Sequence, residues 1–246
     1  MTEEAPLKDL VQAFLVLRRY LFRILLLLLA LTLAFLGISS RLLLFLERHF
    51  GQPLAFFGVA EAWLAVLKLA LILAVMVAFP LLLYLLWRAL AAVYRLSWKS
   101  GLVVVLGGSL LFYGGVAFCY LVSLPYGMRF LLSFGKKELV PTISVGHFVN
   151  FVGLFLLAFG LIFEVPLFMM LAAQMGLLDP CKAARFRRHA ILIIAILAAV
   201  LTPTPDVFNM SLMAVPLYLL FEVGLLGARL LRPRKKPPSL AQTLTR

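Results

Sequence analysis

Glu164 stands inside the apolar run Phe159-Gly160-Leu161-Ile162-Phe163-Glu164-Val165-Pro166. An ionisable group at that depth of a hydrocarbon-crossing helix costs roughly 2.5–3.5 kcal/mol even on lenient insertion scales, so it marks a functional contact, a proton site or an internal partner. Pro166 sharpens the point, because it has no N–H to give the carbonyl of Ile162, leaving a second polar group in the same stretch. Gly146, Gly153 and Gly160 precede Glu164 by eighteen, eleven and four residues. At about 100° per residue they fall within about 40° of its face. This spacing predicts a glycine-lined groove below the carboxylate, open to the close approach of a partner helix. An internal hydrogen bond within a helix bundle is the alternative.

Glu222 is the second acid in an apolar run. Tyr218 lies four residues before it, Ser211 eleven before and Arg229 seven after, which makes one polar stripe on a helix and puts the phenol within reach of the carboxylate. Glu61 and Lys68, seven apart, suggest a loose ion pair or a snorkelling lysine. Gly107-Gly108-Ser109 has the composition of an intramembrane serine site, but His49, His147 and His189 all lie at the edges of apolar runs, so no base is placed to activate the serine. Its reading is helix packing. Metalloprotease, nucleotide-binding and hydrolase signatures are absent. Cys119 lies in an apolar run and Cys181 in a basic loop, which argues against a disulfide between them.

The elements that carry these residues are hydrophobic helices. The chain has 246 residues and is 64% hydrophobic with a mean hydropathy of +1.09, against about 45–50% apolar in a soluble domain. Its apolar blocks approach the ~20 residues needed to cross a bilayer, and blocks such as Ala190 to Leu201 lack the alternation of a transmembrane β-strand. The expected fold is all-α and polytopic, with six spans: Arg23–Ser39, Trp63–Leu86, Leu102–Leu124, Phe148–Ala173, Ala190–Leu201 and Val207–Ala228. The fifth and sixth are short. The twelve residues of the fifth give ~18 Å against ~30 Å of hydrocarbon. Leu42 to Leu46 reads as a separate interfacial helix, and Pro125 as the opening of a new segment. Residues 1–231 read as one membrane domain and 232–246 as a disordered basic tail.

The formal net charge of +13 would suggest nucleic acid in a soluble protein. Here the cations flank spans. Seventeen Lys and Arg lie on the side of both termini and five on the other, so both ends are expected in the cytoplasm. A cleaved signal peptide is the competing account of the first span. It fits poorly with the long preceding segment and its acids Glu3, Glu4 and Asp9.

The run around Glu164 resembles the span-four motif of the TatC family, the multispanning receptor subunits of twin-arginine protein translocases. Leu201-Thr202-Pro203-Thr204-Pro205-Asp206-Val207-Phe208 and Ala214-Val215-Pro216-Leu217-Tyr218-Leu219-Leu220-Phe221-Glu222 resemble the family's last outer loop and sixth span, and Ser109 to Phe118 its third span. The similarity runs from about Leu15 to Leu231. It implies a six-helix receptor and scaffold of the cytoplasmic (inner) membrane, not an enzyme and without a cofactor. The same resemblance implies that it binds twin-arginine signal peptides and single-span TatA- and TatB-like subunits in an oligomeric complex, and takes part in export of folded proteins driven by the proton-motive force.

Two positions depart from the family pattern. Val16 stands where a glutamate precedes Leu17-Arg18-Arg19, and Tyr94-Arg95-Leu96-Ser97-Trp98-Lys99 has no acid in the loop between spans two and three. Acids there are the expected partners of the peptide arginines. Asp9 and Gln12, seven and four residues before Val16, share its helical face and are candidates to compensate. The positions singled out for partner and signal-peptide binding are thus Glu164, Gly160, Gly153, Pro166, Asp206 and Glu222, with Asp9, Gln12, Val16, Arg18, Arg19 and Ser97. Two other functions are open at this point: a secondary transporter that binds a coupling proton on Glu164, and a divergent component that assembles without reading arginines.

Overall fold

A computed structural model describes residues 4–50, 54–55, 57–94, 98–133, 143–201 and 207–230, with the backbone alone over 4–21, 92–94 and 130–133 and at 50, 59, 99, 200, 201, 208, 209 and 212. Helices take up nearly all of it. They are α1 (Glu4–Phe50), α2 (Val59–Tyr94), α3 (Trp98–Phe118), α4 (Leu124–Ser133), α5 (Val145–Phe163), α6 (Val165–Gln174), α7 (Pro180–Arg185), α8 (Arg187–Leu201) and α9 (Val207–Leu230). Five helical stretches are long and apolar enough to cross a membrane: Phe22–His49, Ala60–Ala91, Ser100–Arg129, Val145–Gln174 and Met213–Leu230. Helix α8 has 15 residues, ~22 Å at 1.5 Å each, and falls short of ~30 Å.

The described chain divides into two compact units, the first made of the residues up to Phe163 together with Leu201, the second of Glu164–Val200 and the described residues from Val207 on. In the first, α1 packs along α2, and α2, α3 and α5 pack on one another. Thr32, Ser39 and Leu46, seven apart on α1, are its buried stripe. Each hydroxyl is satisfied locally, Thr32 Oγ1 donating to the Leu28 carbonyl at 2.6 Å and Ser39 Oγ to that of Phe35 at 2.8 Å. On α2, Ala70, Ala74 and Ala78 are buried at four-residue spacing, so the neighbouring helices approach its backbone closely. Phe112 of α3 is fully buried and stacks on Phe79 with ring centroids 3.6 Å apart. The opposite faces carry exposed Leu25, Leu29, Leu110, Leu121 and Leu154, the surface that lipid would solvate.

Two expectations change. Arg23–Ser39 and the patch Leu42–Leu46 belong to one 47-residue helix; no proline interrupts Ser40 to Phe50, so nothing separates the patch from the span. Pro125 does not open a new segment. A π-helical turn over Cys119–Ser123, closed by the Leu124 N–H on the Cys119 carbonyl, carries the helical path into α4, and this wide turn absorbs the proline. Besides the helices, Leu54–Ala55 (β1) pairs in parallel with Ile143–Ser144 (β2), Leu54 opposite Ile143 and Ala55 opposite Ser144. A pair this short leaves no periodic trace in a sequence.

The second unit rests on α6 against α9, with α7 also on α9. Helix α6 ends in a Schellman turn: Gly176 takes φ 75°, its N–H reaching the Ala173 carbonyl at 3.1 Å and that of Leu177 the Ala172 carbonyl at 2.9 Å. Asp179 then caps α7, its Oδ1 accepting from the Cys181 N–H at 3.0 Å, with Pro180 at the first helical position.

Candidate functional site

The fourth apolar run is two helices, and Glu164 is the residue between them. Its backbone (φ −75°, ψ −11°) ends α5 and caps α6, Pro166 sits in the first turn of α6, and the Glu164 carbonyl accepts from the Phe168 N–H at 3.0 Å. The missing proline donor is the local cause of the break. The Glu164 side chain is fully buried, as is Pro166.

Beyond the break, α6 meets α9 at two glycines. A Cβ added to Gly224 would lie 2.8 Å from Pro166 Cα and 2.9 Å from Met169 Sδ, and one added to Gly227 would strike Met170. This backbone-to-backbone crossing was missed from the sequence. Its available signal was Gly224-Leu225-Leu226-Gly227-Ala228, small residues at helical spacing.

The glycine face of α5 is not the open groove that the spacing predicts. The positions share a face, but side chains of α2 and α3 fill it. Gly153 faces Ile72, a Cβ on Gly160 would lie 2.5 Å from Phe112 Cε2, and one on Gly146 would lie 2.9 Å from Glu61 Oε1. The glycines let the first unit close on itself.

Glu222 gathers two donors. Tyr218 Oη donates to Oε1 at 2.8 Å, the bond that the four-residue spacing puts in reach, and Arg187 Nη2 donates to Oε2 at 2.7 Å. The cation comes from the start of α8 rather than from Arg229, and Ser211 spends its hydroxyl on the Val207 carbonyl at 2.6 Å. A positive charge at a helix N-terminus is unfavourable, and the carboxylate offsets it.

Glu61 makes a clamp at the loop end of the first unit. Its oxygens accept from Ser144 Oγ, from the Gly146 N–H at 3.2 Å and from the Phe57 N–H at 3.0 Å. Lys68 is not among these partners. Glu47 Oε1 accepts from the Leu54 N–H at 3.3 Å, so two acids brace the β1–β2 pair. Ser109 Oγ donates to the Val105 carbonyl at 2.6 Å, in keeping with packing.

The backbone of Asp9, Gln12, Val16, Arg18 and Arg19 lies on α1. Ser97, Asp206 and the tail 232–246 lie outside the described residues. Among the described residues no group of three or more His, Cys, Asp or Glu is placed to hold a metal ion.

The sequence profile of the family described as Sec-independent protein translocase protein (TatC) matches residues 13–216. The Sec-independent protein translocase protein TatC of Halothiobacillus neapolitanus is 39% identical over 187 residues, which span 75% of this chain and 51% of that protein. That of Carboxydothermus hydrogenoformans is 33% identical, over 75% and 76%. That of Escherichia coli K12 is 31% identical, over 73% and 69%. A crystal structure of the twin arginine translocase receptor TatC superposes with a TM-score of 0.73 at 27% identity, covering 89% of this chain and 99% of that one. With an all-helical fold, several apolar spans and an acid buried at the break in the fourth, the chain belongs to the TatC family of Sec-independent protein translocase proteins.

Proposed function

We propose that the chain is the receptor and scaffold subunit of a twin-arginine translocase. It sits in the cytoplasmic (inner) membrane with both termini in the cytoplasm, binds twin-arginine signal peptides, and holds TatA- and TatB-like single-span subunits for export of folded proteins driven by the proton-motive force. The observation that carries this reading is the likeness to the twin arginine translocase receptor over 89% of this chain. The charge asymmetry of the sequence supports the orientation.

Within this reading the second unit deals with the single-span subunits. Glu164 and Pro166 set the break between α5 and α6, and Glu222 ties α8 to α9. Because α2 and α3 fill the glycine face of α5, Gly153 and Gly160 contribute by holding the scaffold closed. The peptide-facing positions are Asp9, Gln12, Val16, Arg18, Arg19 and Ser97, and Asp206 directly precedes Val207 in the sequence. Val16 and Ser97 favour one second reading, a component that assembles without reading arginines, since they leave two acids missing.

Photo-crosslinking of a twin-arginine signal peptide to the membrane-embedded chain, against a twin-lysine control, separates the two. Preferential labelling by the arginine peptide is expected. Equal labelling would move the chain to the second reading.

A further inference from the structure

The α2–α3 hairpin carries an aromatic notch that the signal-peptide reading does not use. Tyr84 and Trp87 line it from α2, and Trp98, Gly101, Leu102 and Val105 from α3, around a cavity of about 140 Å³. The notch follows from helical spacing. Positions 98, 101, 102 and 105 share one face of α3, and Gly101 lets its backbone lie flat on the Trp87 indole, where a Cβ would come 2.6 Å from Cε2 and Cζ2. Trp98 stands edge-on to Trp87 with centroids 5.9 Å apart and is 74% exposed, and Leu102 is exposed as well, so the notch opens outward. Trp87 is 6% exposed, and its Nε1–H has no acceptor among the described residues. A buried donor left in that condition costs about 1–3 kcal/mol, which an incoming oxygen would relieve.

Charge decides the occupant. Arg88 is exposed and lies four residues after Tyr84, on the same side of α2 as the notch. Arg95 and Lys99 flank the loop in sequence, and no Asp or Glu occurs between Glu61 and Glu138. A cationic peptide segment would meet like charge there. An anion with an apolar tail would meet both of its complements, and tryptophan and tyrosine at a helix end are the side chains that settle at headgroup depth.

We propose that the notch is a binding site for an acidic glycerophospholipid. The headgroup phosphate pairs with Arg88, an ester oxygen accepts from Trp87 Nε1, and the first acyl carbons fill the space between Trp87, Trp98 and Leu102. The site rests on the bilayer placement of α2 and α3 and not on recognition of a signal peptide.

The chain has three tryptophans, Trp63, Trp87 and Trp98, so Trp63→Phe confines emission to the notch. The full-length protein is reconstituted in phosphatidylcholine vesicles that hold, at equal mole fraction, either phosphatidylglycerol or phosphatidylcholine brominated near the glycerol end of its chains. Stronger quenching by the acidic lipid is expected, with an occupancy preference of about fivefold for each phosphate pairing at ~1 kcal/mol per basic residue. Arg88→Gln should reduce that preference and Arg88→Lys should keep it; the position is exposed, and an unchanged thermal transition checks that the variants fold. Equal quenching by the two lipids, or a preference that Arg88→Gln leaves intact, would overturn the site. So would the absence of lipid selectivity together with shielding of the tryptophans by an added twin-arginine peptide, which would assign the notch to the peptide. No arm of the lipid comparison contains a signal peptide or partner subunit, so its failure leaves the translocase reading standing.

Discussion

The two units place their acidic groups differently. In the first, the polar groups buried within α1 are the hydroxyls of Thr32 and Ser39, satisfied by their own helix, the rest of the helical interior is largely aromatic and aliphatic, with Phe79 on Phe112 and Ile72 against Gly153, and the carboxylates Glu47 and Glu61 stay at the loop end, where they brace the β1–β2 pair. In the second, Glu164 and the trio Arg187, Tyr218 and Glu222 sit on the helices themselves, beside Gly224 and Gly227 and the pliable Met169 and Met170. Ring stacking and clamped ends make a rigid frame. Glycine–methionine packing, a proline break and acids within apolar helices make a more pliable unit.

The largest expected effect tests the rigidity of the frame. Gly160→Leu forces a side chain into Phe112, whose ring is already held by Phe79, and overpacking of this kind costs about 1–3 kcal/mol or more. A marked fall in the detergent unfolding midpoint is expected. An unchanged midpoint would mean that the first unit is as pliable as the second.

Next in size is Glu164. Glu164→Ala should leave insertion intact, because it makes the run more apolar, but should cost most of the single-span subunit that co-purifies; Glu164→Gln, which keeps hydrogen bonding, should be milder. If both variants retain partners at the wild-type level, Glu164 serves internal packing and the contrast between the units loses its functional meaning.

The Arg187–Glu222 pair comes third. Its side chains are 45% and 23% exposed, so solvent screening holds its coupling to about 1 kcal/mol or less. A double-mutant cycle with Arg187→Gln and Glu222→Gln measures it, and a zero coupling energy would leave Tyr218 as the acid's meaningful partner. The smallest effect is expected from Gly227→Ala, where the flexible end of Met170 can move aside. A loss as large as that of Gly160→Leu would erase the difference in pliability.

Much of this was legible in the sequence where one residue contradicts its surroundings. Glu164 in an apolar run, Pro166 two residues on, and Tyr218 four residues before Glu222 each carry their consequence locally, and the break and the bond are present. What a face meets is not local. Periodicity correctly aligned Gly146, Gly153 and Gly160, but only the fold shows Glu61, Ile72 and Phe112 filling the space above them. The same holds for Arg187, thirty-five residues from Glu222, and for the donors that take Glu61 away from Lys68. Segment ends were misread around Ser39 and Pro125 because hydropathy follows the solvent, whereas a helix continues as long as its backbone bonds do.

The central claim is that this chain receives twin-arginine cargo and passes it outward. It is tested most directly in cells that lack their own TatC and are supplied with this chain and its single-span subunits, by measuring export of a folded fluorescent reporter behind a twin-arginine signal peptide. The account predicts folded reporter outside the cytoplasmic membrane, lost when the arginine pair is replaced by lysines. A chain that is inserted and associated with the subunits, yet exports nothing or exports both reporters equally, would contradict it.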